Sequence, residues 1–447
     1  MRQRSILNVS LTLYLLFCMG LSFGQKQNEL RKRIAQSNIY EVNLRQFSAT
    51  GNLAGFEKQL PRLKEMGVEI LWFMPITPIG IKGRKMNEQE LGSYYAVRNY
   101  KDVNPEFGTL GEFKKLVRKA HKMGFLVITD WVANHTALDN PWVSNHPDFY
   151  MKDSIGGFVS PFDWTDVLRL DYRNQELRDS MIDAMRFWIR ETDIDGFRCD
   201  VAELVPDDFW ESCIRSLRKT KNVFMLAEGN TVGLHKAGFD ETYNWNAMHR
   251  MKDLYERKIT PGAFIDSLET DADRFPKNSF RLYFTSNHDE NSWNGTEFEK
   301  YGDAAEAFAV LTQTIYQSVP LIYNGQEEPL KKRLRFFVKD PIDWKKYAKT
   351  GFYKILLTLR RTNPALAATA SYERCKTDDK NIYAYFRTQD SNRVLTILNL
   401  SGKKRKVTIR HADLPGSPTD LFTNKPTQIV DSLTTELPAW GYRVLVY

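Results

Sequence analysis

Short apolar runs rich in β-branched residues alternate with longer amphipathic stretches through residues 38–361. The strand-like runs fall at 39–47, 69–75, 125–132, 196–201, 223–228, 239–245, 281–286 and 320–323. Between most of them apolar positions recur at helical spacing, which predicts helices over 53–66, 110–123, 176–191, 207–219 and 304–317. Parallel strands need crossovers of this kind. A doubly wound open sheet has the same local signature. The count of eight strands favours a fold of the α/β class built as a (β/α)8 TIM barrel.

Two stretches leave the repeat. Residues 134–167, after the third strand, are rich in Pro, Trp, Asp and Ser and lack helical period. They predict a short inserted domain at the end of a barrel strand where active-site loops gather. The barrel then comprises 25–133 and 168–365. From 366 to 447 the pattern turns to alternation, as at 382–387, 394–398, 407–410 and 442–446, with turn residues between. That predicts a C-terminal antiparallel β-sandwich. At the N-terminus, Arg2 and Arg4 precede an apolar stretch at 6–17 that is too short to span a bilayer. Ser22-Phe23-Gly24 places small residues at both positions a signal peptidase reads. Residues 1–24 are therefore expected to be a signal peptide, and the protein to be exported, periplasmic or secreted, without stable membrane insertion after cleavage.

Composition narrows the classes. Of 447 residues, 42% are hydrophobic and 26% charged, which excludes a disordered, collagenous or polytopic membrane chain. The net charge of +8 is thinly spread. Basic runs are confined to Lys331-Lys332-Arg333 with Arg335 and to Lys403-Lys404-Arg405-Lys406, so no nucleic-acid partner is expected. Aromatics at 13% suit an ordinary core and also clefts that stack on sugars. Cys18 leaves with the leader. Cys199, Cys213 and Cys375 are an odd number without metal-ligand spacing, and buried thiols are expected rather than a disulfide framework.

Candidate chemistry sits at four strand ends: Asp130-Trp131-Val132-Ala133-Asn134-His135, Asp195-Gly196-Phe197-Arg198-Cys199-Asp200, Leu226-Ala227-Glu228-Gly229-Asn230 and Ser286-Asn287-His288-Asp289. One Asp at a strand end is usually a helix cap. Four such ends bring acids, two histidines and an arginine to one rim. That set lacks the ligand density of a zinc site and any Ser-His-Asp order. It fits glycosidic-bond cleavage by two carboxyl groups. Arg198, two residues before Asp200, shares its face of the strand and is expected to hold Asp200 ionised. Glu228 ends an apolar strand, where desolvation favours the protonated form an acid catalyst needs.

In order and spacing these segments resemble the signature regions of glycoside hydrolase family 13, the α-amylase family. So do Gly92-Ser93-Tyr94-Tyr95, Val103-Asn104-Pro105-Glu106-Phe107-Gly108-Thr109 and Tyr323-Asn324-Gly325-Gln326-Glu327. The resemblance implies a retaining mechanism on α-linked glucose. It makes Asp200 the nucleophile, Glu228 the general acid/base and Asp289 the third catalytic carboxylate. It makes Tyr95, His135, Arg198 and His288 substrate-binding, with Tyr94 the competing choice for the stacking ring. Asp130 is expected to brace the arginine. Trp131, Trp142 and Trp164 are either platforms or core.

Departures matter as well. Many relatives bind calcium using the Asn at 134 and an acid in the segment that closes the inserted domain. Here Val167-Leu168-Arg169-Leu170-Asp171 puts Arg169 at that place, so no metal or other cofactor is expected, with Asp171 the one shifted ligand that keeps calcium possible. Val201-Ala202-Glu203-Leu204 is nearer to neopullulanase- and cyclomaltodextrinase-like members. Asn99 replaces a common Asp, without a functional account. The expected partner is an α-glucan or maltooligosaccharide, cleaved at α-1,4 bonds. The alternatives are an α-1,6-active or transglycosylating relative and, from another class, a non-catalytic sugar-binding protein, which retention of all three acids disfavours.

Overall fold

The computed structural model describes residues 28–84 and 90–447; the expected signal peptide lies outside the described residues. In chain order the first ten strands are β1 (Ile39–Val42), β2 (Ile70–Phe73), β3 (Leu126–Val132), β4 (His135–Ala137), β5 (Val167–Arg169), β6 (Gly196–Asp200), β7 (Phe224–Ala227), β8 (Glu241–Tyr243), β9 (Phe280–Leu282) and β10 (Leu321–Tyr323). All but the antiparallel β4–β5 pair lie in one parallel sheet of order β10-β1-β2-β3-β6-β7-β8-β9. Backbone bonds from Val319 N–H to Arg281 O (3.2 Å) and from Leu321 N–H to Tyr283 O (3.0 Å) join β9 to the chain entering β10. The eight staves therefore close into a barrel.

The pleat sorts each stave in two. Tyr40, Leu71, Phe73, Val127, Phe197 and Met225 face outward into the packing with the helices. Ile39, Ile70, Trp72, Ile128, Leu226 and Leu282 belong to a second apolar cluster. Toward the strand ends the inward positions turn polar: Glu41, Asp130, Arg198 and Asp200. An apolar floor thus supports a charged upper layer, and the register pairs Asp130 with Arg198 and Arg198 with Leu226 across neighbouring staves.

Several expected elements are shorter than the pattern suggested, the runs at 239–245 and 281–286 among them. The run at 39–47 is strand only to Val42, and Leu44–Phe47 is a helical turn. The helix expected over 53–66 is two, Leu53–Glu57 and Leu60–Met66, because Pro61 cannot donate into a continuing helix and instead opens the second one. Helices Leu110–Lys122, Gln175–Thr192 and Asp207–Arg218 match the periodic stretches closely. The first of these begins at a capping box formed by Thr109 and Glu112.

Beyond the barrel, β11 (Ser371–Arg374), β13 (Ile382–Gln389), β14 (Asn392–Asn399), β16 (Thr419–Asp420) and β18 (Tyr442–Val446) form one antiparallel sheet. A second consists of β12 (Lys376–Thr377), β15 (Arg405–Arg410) and β17 (Leu433–Leu437). Phe386, Leu395 and Leu445 of the first meet Ile409 and Leu433 of the second in one core. The opposite face of the larger sheet, with Tyr383, Tyr385 and Val444, packs with Phe308 and Leu311 of the barrel helix Ala305–Thr314. Buried Arg387 pins the contact, donating to the carbonyls of Thr314 (2.9 Å) and Ala367 (2.6 Å). Cys199, Cys213 and Cys375 are free and buried. Among the described residues no helix is long and apolar enough to cross a membrane.

The entry to β6 tolerates no side chain. A Cβ on Gly196 would lie 1.9 Å from the Phe224 carbonyl oxygen on the adjacent stave. Gly196→Ala is expected to lower stability by about 3 kcal/mol or more, read as a drop in thermal midpoint.

Candidate active site

Arg198 is wholly buried at the centre of the charged layer. Its Nη1 donates to Asp130 Oδ1 (2.9 Å) and to Asp200 Oδ1 (3.0 Å), and its Nη2 lies 2.9 Å from Glu228 Oε2. Its Nε faces the Tyr243 hydroxyl at 3.2 Å. Three staves thus deliver three carboxylates to one guanidinium. The sequence pattern points to Asp200 and Asp130 as partners of Arg198; the structure adds an ion pair with Glu228, while Asp130 braces the guanidinium through both carboxylate oxygens.

The chain leaves β6 through a sharp turn. Val201 adopts φ 36°, ψ 46°, a left-handed conformation that a β-branched residue enters at a cost of about 1–3 kcal/mol. The turn aims the Val201 N–H at Glu228 Oε2 (2.8 Å), while Ala202 N–H binds the Glu228 carbonyl (2.9 Å). The strained turn therefore locks the Asp200 and Glu228 segments together.

Burial, with the Glu228 carboxylate adding to it, pushes the Asp200 carboxyl well above its ordinary value; Arg198 opposes this without overcoming it. Asp130 and Asp289 are also raised, chiefly by burial, against Arg198 in the first case and His288 in the second. The layer carries more carboxyl groups than cations, so it tends to retain a proton. Holding Asp200 ionised is thus a balance rather than the simple consequence of one neighbouring arginine.

The two histidines differ in charge. Burial pushes His135 down to about 3, which leaves it neutral. His288 is equally buried, and burial opposes its charge, but Asp289 and Glu41 outweigh this and raise it to about 9. His288 Nε2 lies 2.7 Å from the Tyr95 hydroxyl, which in turn donates to Asp130 Oδ2 at 3.1 Å.

Above this layer opens a cavity of about 300 Å³ lined by Tyr95, His135, Asp200, Glu228 and Asp289 together with Trp164, Asp166, Trp293, Phe336 and Phe337. Tyr95, not the fully buried Tyr94, is the ring on its wall. Arg198 and His288 lie beneath the floor rather than among the lining side chains. Of the three tryptophans in question, Trp164 lines the cavity, Trp131 is core, and Trp142 borders a separate cleft against Tyr100.

The aromatic wall of Trp293, Phe336 and Phe337 escaped the sequence reading. Trp293 is 53% exposed and sits 5.4 Å from Phe336, whose ring runs nearly parallel to Tyr95 at 6.3 Å. Trp293 lies in a short π-helical turn, Glu290–Asn294, after β9, and Phe336 and Phe337 in an irregular segment after β10, where no period exposes them.

The Asn134 carboxamide nitrogen lies 3.2 Å from His135 Nδ1, and the Asp171 carboxylate is engaged by Arg173 at 2.6 Å.

Comparison with known proteins agrees with this architecture. Residues 30–155 and 158–346 match the family model of the alpha amylase catalytic domain, and 372–444 match that of the maltogenic amylase C-terminal domain. The chain is 24% identical to alpha-amylase 3 of Dictyoglomus thermophilum, covering 81% of this chain and 84% of that protein. It is 28% identical to neopullulanase 2 of Thermoactinomyces vulgaris over 80% of this chain but only 64% of the relative. Among solved structures, a noncanonic maltogenic alpha-amylase from Thermotoga neapolitana superposes with TM-score 0.84 at 28% identity, covering 92% of this chain and 99% of that one. An alpha-amylase from Lactobacillus plantarum gives 0.83 at 30%, covering 93% and 100%.

Removing the guanidinium should strand the acids. Arg198→Met is expected to cost about 3–5 kcal/mol at neutral pH. Asp130 and Asp200 already titrate above their ordinary values, so their ionisation destabilises the fold as pH rises, and losing Arg198 raises them further. The deficit should therefore shrink on acidification, measured as thermal unfolding of both proteins from about pH 5 to 8.

Proposed function

Since the chain belongs to the alpha-amylase family and is an enzyme of the glycosidase type, we propose that it is a retaining α-glucan hydrolase that cleaves α-1,4 bonds of starch- or glycogen-derived maltooligosaccharides. The observation that carries this reading is the attachment of Asp200 and Glu228 to the two terminal nitrogens of one guanidinium, at the base of a cavity walled by aromatic rings. Retention requires two carboxyl groups about 5–5.5 Å apart. A single planar group that grips both favours such closeness.

The chemistry runs in two steps. Asp200 attacks the anomeric carbon as Glu228 gives its proton to the departing glycosidic oxygen, leaving a glucosyl ester on Asp200. Water then donates a proton to the Glu228 carboxylate and attacks the same carbon, the ester bond breaks and Asp200 returns as carboxylate. Positive charge builds on the ring in both transition states, and the surplus of carboxylates in the layer stabilises it. Asp289 would hold the sugar hydroxyls of the reacting ring, with Tyr95 beneath it and neutral His135 beside it. Arg198 and His288 would act from under the floor, through the groups they orient.

The intermediate is the same whether water or a sugar accepts the glucosyl group. The relatives include a neopullulanase and a maltosyltransferase, and Val201-Ala202-Glu203 after the nucleophile keeps an α-1,6-active or transglycosylating enzyme as the second reading. Products from maltoheptaose, pullulan and a cyclodextrin separate the two. We further propose that the protein is exported, on the strength of its N-terminal pattern, and that it works without calcium at Asn134.

Two experiments test the reading. Asp200→Asn should lose several orders of magnitude in kcat with the fold intact, and Glu228→Gln should spare substrates with good leaving groups in the first step, because these need little protonation. Near-normal turnover in the first, or equal loss on every substrate in the second, would sink the assignments. Separately, a chelator should leave activity and thermal midpoint unchanged; a large fall in either would place a structural cation in this protein.

A further inference from the structure

Glu41 stands on the inward face of β1 and is completely buried. One carboxylate oxygen, Oε1, lies 2.5 Å from His288 Nδ1. The other, Oε2, has no hydrogen-bond partner. A glutamate kept only to brace the barrel would be expected to satisfy both oxygens, since an orphaned one is costly in so dry a place. This residue spends its charge on a single imidazole.

The far side of that imidazole points at the reacting region. Nε2 lies 2.7 Å from the Tyr95 hydroxyl and 3.3 Å from Asp289 Oδ2. The Tyr95 hydroxyl donates onward to Asp130 Oδ2, which Arg198 holds. For the hydroxyl to give its proton to Asp130, it must accept from His288, so Nε2 carries a proton. Nδ1 faces a carboxylate and carries one too. The ring of His288 also stacks on that of Tyr95, with centroids 5.5 Å apart and planes 20° from parallel.

We infer that Glu41 is a positioning residue: its carboxylate keeps His288 a doubly protonated cation, and that cation aims Asp289 and fixes the Tyr95 ring at the cavity wall. The inference rests on the reading of this cavity as the α-glucan site, and it assigns a working role to a residue of the first barrel strand. The groups facing His288 are Glu41 from β1, Tyr95 from the segment after β2, Asp130 from β3, Arg198 from β6 and Asp289 beside it, with the Trp72 indole edge-on at 6.1 Å. Three acids against one other cation make the imidazolium the favoured form, and Glu41 is the one in direct contact with Nδ1.

The consequence has a definite sign. A cation is lost as pH rises through its titration point, so removing Glu41 moves that loss to lower pH. Glu41→Gln keeps the shape and a possible acceptor for Nδ1 while deleting the charge. In this variant the alkaline limb of the kcat/KM profile should move down by about one pH unit or more, with the loss carried by kcat and small at about pH 6. Glu41→Asp retains the charge and should keep its limb nearer to that of the parent. In a His288→Gln background, Glu41→Gln should cost nothing further. A profile that superimposes on the parent, or losses that multiply in the double variant, would overturn the proposal.

A second readout needs no substrate. With histidine labelled at Cε1, the His288 resonance should remain that of a charged ring through about pH 8 in the parent and titrate at lower pH in Glu41→Gln. Identical titrations overturn the role of Glu41 even in an active enzyme. A shifted titration in a protein that cleaves no α-glucan sustains the Glu41–His288 link and overturns the reading of the cavity instead.

Discussion

Arg198 is surrounded by more negative charge than one guanidinium can neutralise. Asp130, Asp200 and Glu228 all bind it, and its own burial is complete. Taking such a group out of water costs several kcal/mol, recovered only where its donors are well matched. Arginine suits the position because its planar fork serves separate partners at once, where a lysine ammonium would present a single point of charge. Each partner comes from a different stave, so the contact can exist only if β3, β6 and the end of β7 stand at the right height. The closed barrel supplies that alignment through its register, and the catalytic geometry inherits it.

The same arrangement explains why charge in this site is distributed unevenly. Carboxylates outnumber cations, so burial lifts Asp130, Asp200 and Asp289 together. On the proposed reading, a layer that is negative once deprotonated is what an oxocarbenium-like ring needs in the transition state. The strained turn at Val201 belongs to this logic. It fixes Glu228 against the segment that follows Asp200 through backbone groups, which do not titrate.

Much of this was legible in the chain itself. Eight strand-like runs, the tail's alternation and the four acidic strand ends all correspond to elements of the folded molecule, because short apolar runs, alternation and strand-end chemistry are local properties. What was not legible depends on contacts between distant segments. His135 and His288 follow asparagines in matching motifs, yet one is neutral and the other cationic, because only His288 lies between two acids, Asp289 beside it and Glu41, which is 247 residues away in the chain. Glu41 itself reads as one polar letter in a buried strand. Trp293 and Phe336 sit in loops whose conformation no periodicity announces. The helix broken before Pro61 was a local signal that amphipathic spacing overrode.

The division between what is shared and what is particular follows from where each group sits. The charged layer is buried and held by staves, and on the proposed reading it sets the reaction: departure of one oxygen, arrival of another, at one carbon. It says little about which sugar occupies the neighbouring positions. That choice falls to side chains above the layer, on the β4–β5 segment with Trp164 and on the segments after β9 and β10 with Trp293, Phe336 and Phe337. Flat apolar rings there favour sugar faces over extended polar contacts. On the proposed reading, chain length and linkage fall to loops that can vary without disturbing Arg198, which lets one charged core serve hydrolysis and glucosyl transfer alike.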